Sequence, residues 1–320
     1  MKIWTMGEIL VEIMRPKPNM PLDKTGVFMG PYPSGAPAIF IDTVARLGHQ
    51  AGIIGCVGND DFGSNCLTRL EKDGVDTSMI KVVKNGSTAA AFVTYNDIGE
   101  RSFIFHINNT PAVTAKCPNI EYLSFPTPEY FHIMGCSLMA DDNLYQEIIN
   151  TTKMLLRAGV KISFDPNIRP ELLKGRNLVK MLAPIIHNCS VLLPGYEELL
   201  AISSKPDMES AVATLFENPV LEIIAVKLGS KGCRIFTRDE DFSLGVYPIT
   251  PIDPTGAGDC FDAGFLCGLM DGLSLEETAK QASAAAALNT AAFGPMEGNI
   301  SPKTIKEFMA TNANLTDPTQ

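Results

Sequence analysis

The run Asp253-Pro254-Thr255-Gly256-Ala257-Gly258-Asp259-Cys260-Phe261 holds the residues best suited to chemistry. Two glycines flank an alanine, an acid follows at once, and an apolar small-residue stretch from Phe261 to Met270 continues at helical spacing. Such a sequence makes a tight turn into a helix N-terminus. Glycine removes the Cβ that blocks close backbone approach, and the first N–H groups of a helix are unpaired beside the positive end of its dipole. That is a seat for an anion, most often a phosphate. A carboxylate beside such a seat is poor for passive binding, but it suits a site where Asp259 faces a hydroxyl that attacks the phosphate. The alternative is an ordinary glycine-rich helix start with Asp259 as a capping acid. The spacing is not a dinucleotide-binding GxGxxG, because Phe261 stands at the third glycine. Nor is it a Walker A loop, because no Lys-Ser or Lys-Thr follows.

Other polar groups also follow apolar runs. Glu12 lies just past the first strand among apolar neighbours, and reads as a functional acid or as a solvated edge-strand acid. Asp165, Asn167 and Arg169 alternate after a buried strand, so they share one side if the run stays extended. Arg169 can then neutralise a transferring phosphoryl group. The same residues also suit a loop held by an Asx turn and one ion pair. Glu198 reads from the residues alone as a helix-start acid. Lys227 follows the strand ending at Val226 and reads as a phosphate ligand or a solvated lysine in a hairpin turn.

The elements that must position these groups alternate. Lys2 to Met6 is a strand. A proline-bearing stretch (Pro16, Pro18, Pro21) and Phe28 to Pro33 predict irregular or edge structure. A helix runs from Ser34-Gly35-Ala36 to Leu47, with Gly48 as its stop. Strands follow at 51–57, 130–134, 160–164, 190–193 and 222–226, with helices ending near 73 and covering 141–158, 178–187, about 197 and 207–216. Ala89 to Asn96 and Arg101 to Ile107 predict a hairpin turned by 97–100. A β-pair is expected at 233–237 and 243–247, then helices at 261–270, 275–292 and from Pro302. This pattern predicts one α/β domain, a doubly wound mostly parallel sheet with helices on both faces. A small β lid is expected from about 9–32 and 88–113, within a domain spanning 1–313, and 314–320 reads as a loose tail.

The composition of the 320 residues agrees: 45% hydrophobic, net charge −10, and no basic block or basic-aromatic interleave of the kind that binds nucleic acid. Eight cysteines form no CxxC and no zinc-ligand spacing with the four histidines, which suits a reducing compartment. The chain opens directly into a strand and no apolar run reaches the roughly 20 residues of a membrane span, so no signal peptide, no membrane and a cytoplasmic location are expected.

The full DPTGAGDCF run closely resembles the C-terminal signature of the ribokinase-like (PfkB) carbohydrate kinases. The resemblance extends over nearly the whole chain and implies a ribokinase-like fold, ATP and Mg²⁺. It implies Gly256, Ala257 and Gly258 as an anion hole, Asp259 as base, and Arg169 as a partner in transfer. Gly7-Glu8 to Glu12 is similar to a motif whose last position is usually Asp and holds sugar hydroxyls. Ser34-Gly35-Ala36-Pro37-Ala38 resembles GGAPAN, with Ser34 for the first Gly and Ile39 for the Asn, so Gly35 and Ala36 are expected at the sugar. Asn108, Asp165 and Asn167 join them, the last two by likeness to a DxNxR element. Leu193-Pro194-Gly195-Tyr196-Glu197-Glu198 matches PNxxE in part, which implies Glu198 as a magnesium ligand through water, with Gly195 departing from Asn. Lys227, Gly229 and Gly232 match a nucleotide-lining KxGxxG. Thr255, Ser283, Ala286 and Asn289 are implied at the nucleotide, and Asp253 with Thr255 at a monovalent cation such as K⁺. In keto-acid kinases of this family the second lid strand carries an Arg for the substrate carboxylate. Here Ile107 falls at that place, and a buried carboxylate without a cation costs several kcal/mol. A neutral sugar is therefore expected, a ketohexose such as tagatose or fructose, or ribose. The chain looks most like the tagatose kinase/ribokinase-like branch. The alternatives are a 2-keto-3-deoxygluconate kinase or a catalytically weak sugar-sensing protein. Lid pairing between subunits implies a homodimer.

Overall fold

The structure, a computed structural model, describes residues 2–97, 101–118, 127–312 and 315. β1 (Lys2–Met6) lies inside the large sheet, while β2 (Leu10–Met14) and β3 (Met29–Ser34) leave it. α1 (Ala36–Arg46), β4 (Gln50–Gly58), α2 (Asp61–Lys72) and β5 (Ile80–Val83) return to it. β6 (Ala89–Tyr95) and β7 (Arg101–His106) leave it again. The chain then alternates through β8 (Tyr130–Met134), α3 (Gly135–Ala140), α4 (Asp142–Arg157), β9 (Lys161–Asp165), α5 (Pro170–Leu173), α6 (Leu178–Ile186), β10 (Val191–Leu192), α7 (Tyr196–Ser203), α8 (Met208–Leu215) and β11 (Ile223–Lys227). It closes with β12 (Cys233–Phe236), β13 (Asp241–Leu244), α9 (Ala257–Met270), α10 (Leu275–Thr290) and α11 (Pro302–Thr311).

The large sheet runs β13-β12-β11-β10-β9-β8-β1-β4-β5. Its pairs are parallel except β11–β12 and β12–β13, so β12 alone runs against the rest. Side chains on successive residues of a strand point to opposite faces. Accordingly Ile3 joins one buried core with α1, α9 and α10, and Trp4 and Met6 join a second with α4, α6 and α7. Both faces are thus covered, as parallel sheets require. The chain order reverses beside β1, which pairs with β4 on one side and β8 on the other. Ligands in open α/β sheets collect beyond the carboxyl ends of strands at such a point.

The smaller sheet runs β3-β2-β6-β7, with β2 and β6 parallel and the other pairs antiparallel. Its register sets which side chains share a face. Glu12 stands level with Ala91, and Ala91 with Phe105, while Tyr95 stands level with Arg101. β2, β6 and β7 fall within the ranges 9–32 and 88–113, β3 runs past the first of them to Ser34, and residues 111–114 form a 3₁₀ turn.

Several details differ from expectation. α9 begins at Ala257, four residues before Phe261, because the glycine turn itself enters the helix; Asp259 therefore lies in the first helical turn. β13 falls at 241–244 instead of 243–247, since a tight turn at 237–240 shortens the hairpin. β5 and α3 were not anticipated. Residues 98–100 of the hairpin turn and most of the 314–320 tail lie outside the described residues.

Candidate active site

A cleft opens between the carboxyl ends of the large sheet and the inner face of the small one. Two helices start on it, and both lack a side-chain cap. By contrast, α2, α4, α6, α8, α10 and α11 are capped by Asp60, Asp141, Asn177, Asp207, Ser274 and Ser301. α9 starts from Gly256, where φ is 76° and an added Cβ would sit 2.4 Å from the Pro295 carbonyl oxygen. α1 starts from Gly35, where φ is 106° and an added Cβ would sit 2.4 Å from the Glu8 carbonyl oxygen. Only glycine fits either corner. The N–H groups of Gly258 and Asp259 have no partner among the described residues. They sit at the positive end of the α9 dipole and are free to bind an anion.

Asp259 is buried, lines the cleft, and accepts a hydrogen bond from Asn167 Nδ2 at 3.1 Å. Burial, helped by the charge of Asp165, pushes its pKa up to about 6, against the pull of Arg169, Lys227 and Arg101. Behind it lies a closed charge network. Lys227 Nζ donates to Asp165 Oδ2 at 2.8 Å and to both oxygens of Asp262 at 3.0 and 3.1 Å. Its ammonium is 3.7 Å from where a Cβ on Gly258 would stand, hence directly against the glycine turn. Burial alone would discharge Lys227, but the two carboxylates outweigh it and raise its pKa. Burial likewise opposes ionisation of Asp165, and Lys227 reverses the sign, holding Asp165 below the usual carboxylate range. Asp262 is pushed well above that range, by burial first and by Asp165, with Lys227 opposing.

The other end of the cleft is built differently. Ser34 Oγ donates to Glu12 Oε1 at 2.8 Å, while Glu12 Oε2 is buried without a partner among the described residues. Burial raises Glu12 to about 7, with Ser34 and Arg101 opposing. Asn167 Oδ1 is a second buried acceptor without a partner. Buried polar atoms are normally satisfied, so these two mark where the hydroxyls of a ligand belong. Glu8 is different, being already bonded by Ser137 Oγ at 2.5 Å and Cys136 Sγ at 3.2 Å. Leu10, Ile39, Phe103, Phe105 and Ile107 supply apolar walls.

Of the residues singled out in the sequence, Glu12, Gly35, Ala36, Asn167, Arg169, Thr255, Gly256 and Asp259 meet in this one cleft. Ala257 and Gly258 continue the same turn. Asp165 lies beneath, bonded to Asn167 and Lys227. The 165–169 run is not extended: Asn167 has φ 37° and its N–H closes an Asx turn on Asp165 Oδ1 at 3.0 Å. The turn, not alternation, brings Asn167 to Asp259. Asn108 does not line the cleft; it is exposed and accepts from Lys174 Nζ at 2.9 Å. Gly229 and Gly232 frame a 3₁₀ turn after β11. Ser283 and Ala286 lie beyond the glycine turn, where α10 meets β12. Asn289 is buried and braces the turn by donating to the carbonyls of Thr255 at 2.8 Å and Pro295 at 3.1 Å. Asp253 accepts from Tyr95 Oη, Thr255 N, Thr255 Oγ1 and Gly294 N at 2.7 to 2.9 Å.

Sequence reasoning passed over Glu8, Tyr95, Arg101 and Asp262. It also placed the only candidate lid cation at position 107. Ile107 does line the cleft as an apolar residue, but Arg101 brings a guanidinium to the cleft from the other end of β7. The lid strand is therefore not without a cation, and neutrality of the ligand does not follow from Ile107.

Among the described residues no group of three or more His, Cys, Asp or Glu could hold a metal ion by itself. Glu198 accepts from Ile168 N at 2.7 Å and Gly195 N at 2.8 Å, and keeps further lone pairs. That donor set fits a Mg²⁺ carried mainly by phosphates and met by one carboxylate through water. The uncapped turn of α9 fits the phosphates.

A model of the pfkB family carbohydrate kinases matches residues 5–302. Fructokinase from Salmonella typhimurium is 30% identical over 302 residues, 92% of this chain and 95% of that protein. Fructokinase from Escherichia coli is 30% identical over 278 residues, 86% of this chain and 87% of that protein. A candidate ribokinase II from E. coli, solved without ligand and with ATP and Mg²⁺, gives a TM-score of 0.89 at 38% identity, covering 97% of this chain and 99% of that one.

Proposed function

The chain belongs to the pfkB family of carbohydrate kinases, and from that premise we propose that it transfers the γ-phosphoryl group of ATP to a hydroxyl of a neutral sugar. The acceptor is a ketohexose such as fructose or tagatose, or ribose. The relatives named fructokinase support the ketohexose, and the E. coli structure with ATP and Mg²⁺ supports the donor. One observation carries the reading: Asp259, buried and bonded by Asn167, stands at an uncapped helix start in a cleft also lined by Glu12 and Asn167, each with a buried oxygen unpaired among the described residues.

The sugar's hydroxyls fill the acceptors on Glu12 and Asn167, which aims one hydroxyl at Asp259. As that oxygen bonds to the γ-phosphorus, its proton passes to the Asp259 carboxylate. The bond from phosphorus to ADP breaks, and its electron pair leaves on ADP. The N–H groups of the Gly256–Asp259 turn hold the phosphoryl oxygens as charge develops. Arg169 and the buried ammonium of Lys227 add positive charge. A pKa near 6 makes Asp259 a better base at neutral pH than an ordinary carboxylate. Mg²⁺, when bound, neutralises the phosphates, and Glu198 would hold it through water. Lys227, Gly229, Gly232, Thr255, Ser283, Ala286 and Asn289 take the nucleotide side, and Asp253 is a candidate ligand for K⁺.

The small sheet serves as a lid on a single domain of residues 1–313 and excludes water from the transfer. Ile104 is exposed on its outer face, on the edge strand β7, which supports pairing of two lids in a homodimer. Eight free cysteines support a reducing, cytoplasmic setting. An ADP-coupled assay over ketohexoses, aldopentoses and sugar acids tests the reading. Turnover of a neutral sugar, abolished in Asp259→Asn, is expected; turnover of sugar acids alone would overturn the acceptor, and no turnover at all the activity.

A further inference from the structure

We infer that Arg101 is a catalytic residue of the transfer step, a lid-borne cation that contacts the phosphoryl group as it passes to the sugar. The inference rests on the kinase reading above. Along β7, Arg101, Phe103 and Phe105 face the cleft while Ser102, Ile104 and His106 face solvent. Position along the strand then decides what Arg101 can touch. Phe105 is level, through Ala91, with Glu12 at the sugar end. Arg101 is four residues away, roughly 13 Å at strand rise, and level with Tyr95. The Tyr95 hydroxyl touches Asp253 Oδ1 at 2.9 Å and Thr255 Oγ1 at 2.6 Å, at the entrance of the glycine turn. Arg101 is thus set at the phosphoryl end of the cleft.

Its guanidinium is also unspent. Arg101 makes no hydrogen bond or ion pair among the described residues; it lies by the Phe103 ring, 5.6 Å away, within the fields of Glu12 and Asp259. The same ring carries Arg169 at 5.7 Å, and Arg169 donates only to the Ile168 carbonyl, at 3.1 Å. Two guanidinium groups therefore flank one ring beside Asp259, with most of their donors free. Both are half-buried, and the carboxylates of Glu12 and Asp259 act on Arg101 without hydrogen-bonding it, so the free guanidinium donors suit a further anion. A neutral acceptor brings no anion. The group in transit does: its three equatorial oxygens carry the developing charge and match a guanidinium fork. Because Arg101 rides on the lid, it completes the charge around the phosphoryl group only when the small sheet is seated.

The test compares Arg101→Gln and Arg101→Lys with the wild type, using ATP, Mg²⁺ and the best neutral sugar of the panel. For Arg101→Gln, kcat is expected to fall on the order of 10²-fold, with KM for ATP and sugar each within about threefold. Affinity for the sugar phosphate product, measured as inhibition or by calorimetry, is expected to fall about tenfold or more, and Arg101→Lys to recover part of both. A kcat within threefold of wild type would overturn the inference. So would a loss confined to the KM of the sugar, which would make Arg101 an acceptor ligand. If Arg101→Gln does not fold, product affinity in Arg101→Lys decides by the same criterion. Absence of wild-type turnover would strike the kinase reading instead, and is seen before any variant is made.

Discussion

The two ends of the cleft are built on opposite plans. At the glycine turn the acids, amides and lysine are already bonded: Asn167 to Asp259, Lys227 to Asp165 and Asp262, Asn289 to two backbone carbonyls, Asp253 to four donors, while Arg101 and Arg169 keep free donors among the described residues. At the lid end Glu12 Oε2 lacks a hydrogen-bond partner among the described residues, and the walls are Leu10, Ile39, Phe105 and Ile107. The difference separates two jobs. Chemistry needs charges fixed before the reaction, since preorganised dipoles cost no reorganisation as it proceeds. Recognition needs polar atoms left unsatisfied, so that a ligand without the right hydroxyl leaves them bare.

Variants at each end should therefore fail in different ways. The largest effect is expected from Asp259→Asn, which keeps an acceptor for Asn167 but removes the base: kcat falls on the order of 10³-fold or more, with ATP affinity nearly intact by calorimetry. The same variant should be more stable. A folded pKa raised to about 6 means the carboxylate's folded form is favoured at low pH and loses stability as pH rises from about 4 through 6. Removing it should raise stability at pH 7.5 by up to about 3 kcal/mol, an advantage that shrinks toward pH 4 in urea melts. If instead Asp259→Asn destabilises at neutral pH, the carboxylate is a structural cap. Next comes Lys227→Met, which leaves Asp165 and Asp262 without their cation. A loss of about 3 kcal/mol or more in unfolding free energy is expected, whereas a solvated lysine would cost almost nothing.

At the recognition end, Glu12→Gln should raise the sugar KM by about tenfold with kcat changed much less, as befits a hydrogen bond to a charged acceptor worth roughly 1.5 kcal/mol. An equal loss in kcat would move Glu12 into the chemistry and blur the contrast. The smallest effect belongs to Tyr95→Phe, which cuts the lid's tie to Asp253 and Thr255. About 1 kcal/mol of stability and a few-fold rise in sugar KM are expected by melting and steady-state kinetics.

The chemical end was the more legible in the sequence. The turn Gly256-Ala257-Gly258-Asp259 announces itself locally, because its glycines answer steric demands of the backbone at that point. Asp262 could have been read too: a second acid one helical turn after Asp259, in a run of Phe, Ala, Gly, Leu and Cys, requires a buried cation, and Lys227 is that cation. The lid was harder. Whether Arg101 or Ser102 faces the cleft depends on strand register, and a slip of one residue reverses every side chain. Asn108 was misplaced for the same reason, since the strand ends at His106 and the chain has turned outward by 108. The 165–169 segment shows a third limit. Asn167 and Arg169 do line the cleft, but an Asx turn with Asn167 at positive φ, rather than an extended strand, is what aims them.

The pH dependence of kcat/KM for the sugar, at saturating ATP and Mg²⁺, tests most directly whether Asp259 is a base poised by its surroundings. It is best measured in Glu12→Gln, where the other strongly raised carboxylate facing the sugar no longer titrates. The rate should be level near neutrality and fall about tenfold per pH unit below a midpoint near 6. A profile that stays flat down to the ordinary carboxylate range near pH 4 would contradict it.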